Sequence, residues 1–573
     1  MKKSNIFGIL ALGGVMLTGC NNFLDDNREP LSKQLNNSSY WSLDFNVQNQ
    51  VNTFYNDFSG YGSASGQGTF YFKTLNDDQA GSLGSRFANW TYTTALSSSS
   101  YWNDPYTEIR RANLIIKGVS EGELNGTVEG DNFIAIARLN RGIQYFTLVK
   151  RYGDVPLVED VLNTESPELY GPRAARKEVM NYALADVEYA VNNITKASSK
   201  SEFSQDLAKA VLVEMALFEG SYAKYHSGDN TRATEMFNKV VNTGSPLVSA
   251  YPVGDNYQAL YNSFIEGLAA NPEVIFMKGY TKDVFMHSLL DWTCSSSTVC
   301  GMTKDAFDSY LFADGKPLKL TSCDRSDVGV AEVEYDEEGN VVSAALSIAN
   351  LLAVRDQRLA QTIDPYVMYT NMEYTRENTM AMTSHTGYGV AKYDNLEVPY
   401  AYATVANKAY TCAPLFWGAR IALAVAEAKA ELGSLTDADV TTLLNPLYSR
   451  AGLPDQTLAS LSNMNDPDND MGVSSLLWEI RRCRRCEFMF DDDIRYWDLV
   501  RWHKLDLLDF TKNPDITLGA NISVAPVAAP YVNGNYIDCS GGMTRTFSDR
   551  EYFWPIPTDQ IRLNKNLTQN PGW

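Results

Sequence analysis

Positive charge is scarce in this chain. Its 48 lysines and arginines face 69 aspartates and glutamates, so 573 residues carry a formal charge of −21. A partner held mainly through phosphate neutralisation, such as DNA or an anionic bilayer surface, meets net repulsion, which argues against nucleic acid. Histidine is scarcer still. His226, His287, His385 and His503 stand far apart, an arrangement that favours structural roles over metal ligation or general-base work. The chain has no His-Glu-x-x-His, no P-loop and no Gly-x-Ser-x-Gly, the local signatures of zinc peptidases, nucleotide hydrolases and serine hydrolases. GYGSASG at 60–66 is no dinucleotide fingerprint, because its third glycine comes one place late and no strand-to-helix context surrounds it. No catalytic residue, cofactor or metal is expected. Beyond residue 17 no apolar run approaches the roughly 18 residues of a membrane span.

What is present begins with a core and a leader. Apolar residues make up 44% of the chain and aromatics 12%, with 33 Tyr and 10 Trp, enough for a substantial interior and for rings left over to stack on a ligand. Residues 1–19 combine two lysines with a short apolar run from Ile6 to Leu17, the pattern of a signal peptide. Leu17-Thr18-Gly19-Cys20 resembles a bacterial lipobox, in which Cys20 becomes the lipid-bearing first residue and several acyl chains give stable anchoring. Seven cysteines then remain, an odd number. Cys294 and Cys300 either close a short surface disulfide or stay as two free thiols. The 69 acids leave a glycosidase-like pair of carboxylates open, since the diagnostic quantity is a spatial distance.

RRCRRCEF at 481–488 is the most chemically suggestive stretch. A structural zinc site needs two more ligands at finger or ribbon spacing, and none follows. A thioredoxin-like centre starts its helix at the motif, whereas Leu476, Ile480, Cys483, Met489 and Phe490 place a helix already under way. Cys483 and Cys486 therefore read as buried small apolar groups. The arginines are expected to pair with Asp491–Asp493 and other acids, and Arg484 with Glu487 three residues on.

Apolar residues at three- and four-residue steps predict helices over 131–154, 176–194, Leu207–Tyr222 and Ile421–Leu432, the last ending at Gly433. TDADVTTLLNPLYSRAG at 436–452 reads as an N-capped partner helix. Paired helices joined by Gly, Pro or Asn turns suggest a helical hairpin array without a fixed repeat period. Residues 58–104 and 280–415 lack periodicity and read as long loops, which in a compact protein usually bind something.

RRCRRCEFMFDDDIRYWDLVRWHKLD at 481–506 resembles the C-terminal helix pair of SusD/RagB-type outer-membrane nutrient-binding lipoproteins. The likeness extends to CNNFLDD at 20–26, YWNDPYTEIRRANLII at 101–116, ARLNRGIQYFTLVKRYGDVPLV at 137–158, NPEVIF, VRDQRL, AEAKAEL and the closing YFWPIPTDQIRLNKNLTQNPGW, all in the family's order. Three positions depart from the pattern. Cys483 and Arg420 stand where glutamates are usual, and one extra acid interrupts DDDIR.

The resemblance implies a mainly α fold, with irregular tetratricopeptide-like helix pairs as scaffold and long excursions forming the ligand face. It implies one domain over 20–573: scaffold mainly 105–245 and 412–510, ligand-face regions about 58–104 and 280–411, and a C-terminal segment 511–573. It also implies an outer-membrane lipoprotein that faces the cell exterior, captures a nutrient and passes it to a SusC-type TonB-dependent transporter. The ligand would be an oligosaccharide or a peptide. A surface glycan hydrolase and a purely protein-binding scaffold are the alternatives. Saccharide capture needs flat rings beside carboxylates, amides or arginines. Asp77, Asp78, Arg86, Trp90 and Tyr92 in the first irregular region, and Trp292 and Tyr310 in the second, are the candidate ligand contacts, with Asp78 and Arg86 resembling site residues of some starch-binding members. Trp102 is assigned to packing against its own helix neighbours.

Overall fold

The structure is a computed structural model, and it describes residues 38–63, 66–71, 75–81, 89–195, 197–294, 300–369, 384–529 and 531–573. The signal segment, Cys20 and Arg86 lie outside the described residues. The helices used below are α1 (Asp44–Asn52), α2 (Ser100–Glu121), α3 (Val128–Tyr152), α4 (Arg176–Asn193), α5 (Gln205–Tyr225), α6 (Asn230–Ala250), α7 (Lys304–Ser309), α8 (Gly418–Glu431), α9 (Ser475–Glu487) and α10 (Ile494–Arg501). The strands are β1 (Gln79–Gly81), β2 (Val274–Lys278), β3 (Cys300–Met302), β4 (Val330–Tyr335), β5 (Val341–Ser347), β6 (Ile363–Met368), β7 (Gly387–Val390) and β8 (Ala413–Trp417).

Helices α2 to α6 pack each against the next, α6 packs on α8, and α8 on α9. Their ends are set locally. Thr127 caps α3 by accepting from Gly130 N–H, Glu129 and Asp131 fill its first turn, and Lys150 and Arg151 its last, each placed to suit the helix dipole. Ser204 and Asp229 cap α5 and α6 the same way. Close helix approach depends on missing side chains: a Cβ on Gly142 of α3 would sit 2.7 Å from Val187 of α4, and one on Gly244 of α6 would sit 2.6 Å from Val425 of α8. The Thr436–Asp439 capping box starts the partner segment after α8, and its helix runs on to Arg450 through one π turn. The fold is mainly α, a tetratricopeptide-like scaffold as expected. Trp102 is buried edge-on to Tyr152.

Helix α6 was not among the segments predicted, although Ala233, Met236, Phe237, Val240 and Leu247 of its buried face carry the helical spacing. Gly244 and Pro246 near its end look like breakers in the sequence, but the crossing with α8 needs the first. The second irregular region is also more ordered than a loop. It holds an antiparallel sheet of order β4-β5-β6-β7, whose first hairpin turns through Asp336–Asn340. Strands β2 and β8 pair elsewhere, tying the region into the scaffold just before α8.

Candidate functional site

Strand β1, from the first irregular region, pairs antiparallel with β3, from the second, in the register Gln79↔Met302, Ala80↔Gly301 and Gly81↔Cys300. The seam is extended by Thr303, whose N–H donates to the Asp78 carbonyl at 3.0 Å and whose hydroxyl donates to the Asp77 carbonyl at 2.6 Å. Thr303 also caps α7. Two segments more than 200 residues apart in sequence are thereby fixed side by side.

Beside this seam opens a cavity of about 590 Å³, within the range of small-molecule sites. Asp77 lines it from the seam, Lys304, Asp305 and Asp308 from α7, and Lys319 from the loop beyond. The acidic loop 466–470 and Met471 form another wall, and Trp478, Arg481, Arg482 and Arg485 of α9 with Arg495 of α10 complete the enclosure. Most of these charges are already met. Arg495 grips Asp77 with two bonds of 2.7 and 2.5 Å. Arg485 donates to Asp78 at 2.7 Å and to Asp305 at 2.7 Å. Arg482 pairs with Asp466, which also accepts from Trp478 Nε1 at 2.9 Å.

These contacts order the titrations. Burial penalises the Asp77 carboxylate, yet Arg485 and Arg495 overcome it and hold the group well below the usual range. Asp78 moves the other way, raised chiefly by burial. Desolvation in the cavity, with Asp305 adding to it, raises Asp470 to about 6. Not every polar atom is paired within the protein. Asn469 Oδ1, Arg481 Nε and Arg482 Nε are buried without a hydrogen-bond partner in the protein, Arg481 Nε lying 3.9 Å from Glu427, and such atoms normally find one in water or ligand. The site therefore offers donors, acceptors and one indole, the chemistry that suits a hydroxyl-rich ligand.

Residues 272–573, just over half of the chain, match the family model described as the SusD family. The chain belongs to the SusD family. Residues 22–217 match a second model, described as starch-binding associating with outer membrane. A SusD-like protein P38 of Formosa agariphila is 30% identical over 131 residues, which are 22% of this chain and 25% of that protein. A SusD-like protein of Bacteroides ovatus is 27% identical over 189 residues, 30% of this chain and 34% of that one. The chain thus spans about a quarter and a third of the curated relatives it matches. Among solved structures, a SusD-like carbohydrate-binding protein from Bacteroides fragilis NCTC 9343 superposes with a TM-score of 0.68 at 19% identity, over 92% of this chain and 100% of that one.

Two of the three departures from the SusD pattern meet in space. Arg420 donates to Asp492, an acid of the interrupted DDDIR stretch, at 3.3 Å, and also pairs with Glu214. The longer stretch is fitted by putting Phe490, Asp492 and Asp493 at φ +68°, +43° and +57°, a conformation that costs non-glycine residues on the order of 1–2 kcal/mol each. Tyr71 N–H and Tyr393 hydroxyl hold the Phe490 carbonyl at 2.7 and 2.9 Å. Cys483 lies 3.8 Å from Arg358, whose charge is met instead by Asp356 and Glu487.

The arginines of the SusD helix pair differ in detail from the sequence expectation. Arg481 pairs with Glu431, Arg482 with Asp466, Arg484 with Asp498 and Arg485 with Asp78. Asp491 goes to Lys392 instead, and Glu487 goes to Arg358 and Arg450 rather than to Arg484. The helix turns its charges toward acids from distant segments because those are the ones packed against it. Cys483 and Cys486 are buried thiols, raised to about 11 and about 12 chiefly by burial. No group of three His, Cys, Asp or Glu converges as metal ligands among the described residues. Cys294 and Cys300 are both buried and form no disulfide among the described residues, the Cys294 thiol donating to Asp394 at 3.0 Å.

The candidate contacts are scattered by the fold. Asp77 reaches the cavity, while Asp78 is buried behind it on Arg485. Tyr310 is fully buried with its hydroxyl on the Cys486 carbonyl, so it presents nothing to a ligand. Tyr92 is buried against Trp554 and Ser99. Trp90 is half-buried, with Nε1 donating to the Thr546 carbonyl at 2.7 Å, and Trp292 is half-buried against the core. None of these rings lines the cavity. Sequence reading missed Trp478, Lys304, Asp305, Lys319 and the loop 466–470. The one signal for them was DPDND at 466–470, a polar loop shortly before a helix rich in arginine.

Proposed function

We propose that the protein captures an oligosaccharide in the cavity beside the β1·β3 seam and delivers it, chemically unchanged, to a SusC-type TonB-dependent transporter. On this reading the lipid on Cys20 holds it at the outer membrane facing the cell exterior. The observation that carries the proposal is one polar cavity, built where both irregular regions and the family's arginine helix meet, with Trp478 and unpartnered donors and acceptors in its walls. Family membership, the second model's description and the carbohydrate-binding relative of known structure support it. Asp77 and Arg495 act as positioning residues, and Trp478, Asp305, Lys319 and Asp470 are the proposed contacts. Trp90, Trp292 and Arg86 remain proposed contacts for the outer part of a longer chain.

The test uses the soluble form lacking residues 1–20 against a panel of polysaccharides and peptides, by calorimetry and by product analysis. An oligosaccharide should bind and be recovered intact, and Trp478→Ala should weaken it at least tenfold, about 1.4 kcal/mol, without loss of folding. Appearance of cleaved products, tight binding of peptides alone, or unchanged affinity in Trp478→Ala would each defeat this assignment.

A further inference from the structure

A second cavity, of about 400 Å³, lies among α2, α3, α5, α8, α9 and α10 and shares no lining residue with the first. Five cations face it: Lys150, Arg151, Arg420, Arg484 and Arg501. Three of them are spoken for. Arg420 holds Glu214 and Asp492, Arg484 holds Asp498 at 2.7 Å, and Arg501 holds Asp498 and Glu427.

Lys150 and Arg151 are different. Neither has a carboxylate within ion-pair distance among the described residues. The Lys150 ammonium sits 4.5 Å from the Phe146 ring centre and 4.6 Å from that of Trp497. The Arg151 guanidinium lies 5.0 Å from Tyr101, Trp497 and Trp554, gives one bond of 3.2 Å to the Thr147 carbonyl, and keeps a buried Nε with no protein partner. Ring faces attract a cation, by about 0.5–2 kcal/mol each, but they cannot accept the directed hydrogen bonds that a desolvated ammonium and guanidinium lose. Desolvation, with the Arg151 charge beside it, accordingly lowers Lys150 to about 7.

The helix dipole explains why cations stand in the last turn of α3; it does not explain why they lie half-buried among rings with no carboxylate against them. No acid facing the cavity is in ion-pair contact with either, although Glu214, Asp492 and Asp493 act on Lys150, and Asp493 on Arg151, from farther away. Glu214, Asp492 and Asp498 are engaged as above, and Asp57 is held by the Asn140 and Gln144 amides at 2.6 and 3.0 Å. Asp104 and Asp493 complete the lining. Two adjacent positive groups with no carboxylate in ion-pair contact, in a cavity of this size, define a pocket for a small anion. Tyr101, 44% exposed, and the hydroxyls of Thr69 and Ser100 line the same space, a ring and polar groups suited to the rest of a sugar.

We propose that this cavity is a second binding site, selective for a saccharide that carries an oxyanion, a uronate carboxylate or a sulfate ester, with Lys150 and Arg151 as its anion contacts. The proposal goes beyond capture at the first cavity and does not depend on it.

Residues 21–573 are titrated at fixed ionic strength with a uronate oligosaccharide, a sulfated oligosaccharide and a neutral one of equal length. At least one anionic saccharide should bind tenfold or more tightly than the neutral one, and which of the two does so identifies the anion. Lys150→Met should remove that preference, while Trp478→Ala should leave it intact. Because Lys150 has no partner to strand, its substitution should not lower Tm; Tyr101→Ala, at an exposed ring, gives a second variant that should weaken the same ligand. The idea fails if neither anionic saccharide binds at millimolar concentration, if Lys150→Met binds it like the parent, or if Trp478→Ala is the variant that loses it. Loss of the anion preference with neutral binding intact would leave the first-cavity assignment standing.

Discussion

Individual side chains in this protein carry readable protonation states. His287 is fully buried: Leu289 N–H donates to its Nδ1 at 3.1 Å, so the proton sits on Nε2, which donates to the Thr411 carbonyl at 2.8 Å. A neutral imidazole satisfies both bonds, whereas a second proton would displace Leu289. Burial therefore lowers His287 to about 3. The sign follows from linkage. The unfolded chain takes up a proton near 6.5 and the folded one does not, so the contribution is fully present above 6.5 and is lost as pH falls toward 3. His287→Gln removes the titration. Urea unfolding at pH 7, 6, 5 and 4 should show the stability advantage of the parent over this variant shrinking by about 1.4 kcal/mol per pH unit below 6. A constant advantage would mean that His287 does not titrate in this way.

At the level of elements, the seam and the arginine helices depend on one another. Asp77, in the segment leading to β1, is gripped by Arg495 of α10 and faces Arg485 of α9 at 3.5 Å. Asp77→Asn leaves two buried guanidinium groups short of a charge, a loss on the order of 3–5 kcal/mol, whereas Asp305→Asn, at a carboxylate that is 23% exposed and leaves Asp78 on Arg485, should cost about 1–2 kcal/mol. Denaturant midpoints of the two variants check this, and similar losses would show that the network does not hold the seam. The contribution of Asp77 should also be complete above its ordinary pKa near 4 and fade as pH falls below it, because its folded value is depressed.

The same level shows what sequence can and cannot reveal. Helices α3, α4, α5 and α8 were legible because one buried face repeats every three or four residues, and the capping box at Thr436 because its residues are consecutive. The hairpin β4–β5 was readable in principle, since VAEVEY alternates before the turn DEEGN, but five of those six residues face solvent and no apolar run marks the strand. The cavity was not legible. It is assembled from residues 77, 304–319, 466–485, 495 and 513–515, and nothing local in the sequence says that they converge. Asp77 stood out by its chemistry and Asp78 by resemblance, yet the turn built on the Asn76 side chain sends one to the cavity and the other behind it.

Across the whole molecule, the two family models divide the chain into 22–217 and 272–573, but the structure joins those halves at their centres. Helix α6, which neither model covers, packs on both α5 and α8. Arg420 of α8 reaches Glu214 of α5, Arg501 of α10 donates to Ser221 at 2.8 Å, and Arg495 holds Asp77. At the far end, Arg173 donates to Asn570 at 2.7 Å. Most of these contacts are buried, so neither half can satisfy its charges alone. If 20–573 is one cooperative domain, residues 21–573 should unfold in a single calorimetric transition whose van't Hoff and calorimetric enthalpies agree. A chain of 272–573 alone, stripped of the partners of α8 and α10, should lack cooperative unfolding. Two separate transitions, or a folded 272–573, would instead make the scaffold an independent body, and a ligand bound at the seam would then stabilise only the half that carries it. With a single cooperative unit, saturating ligand at either cavity should raise the one transition as a whole.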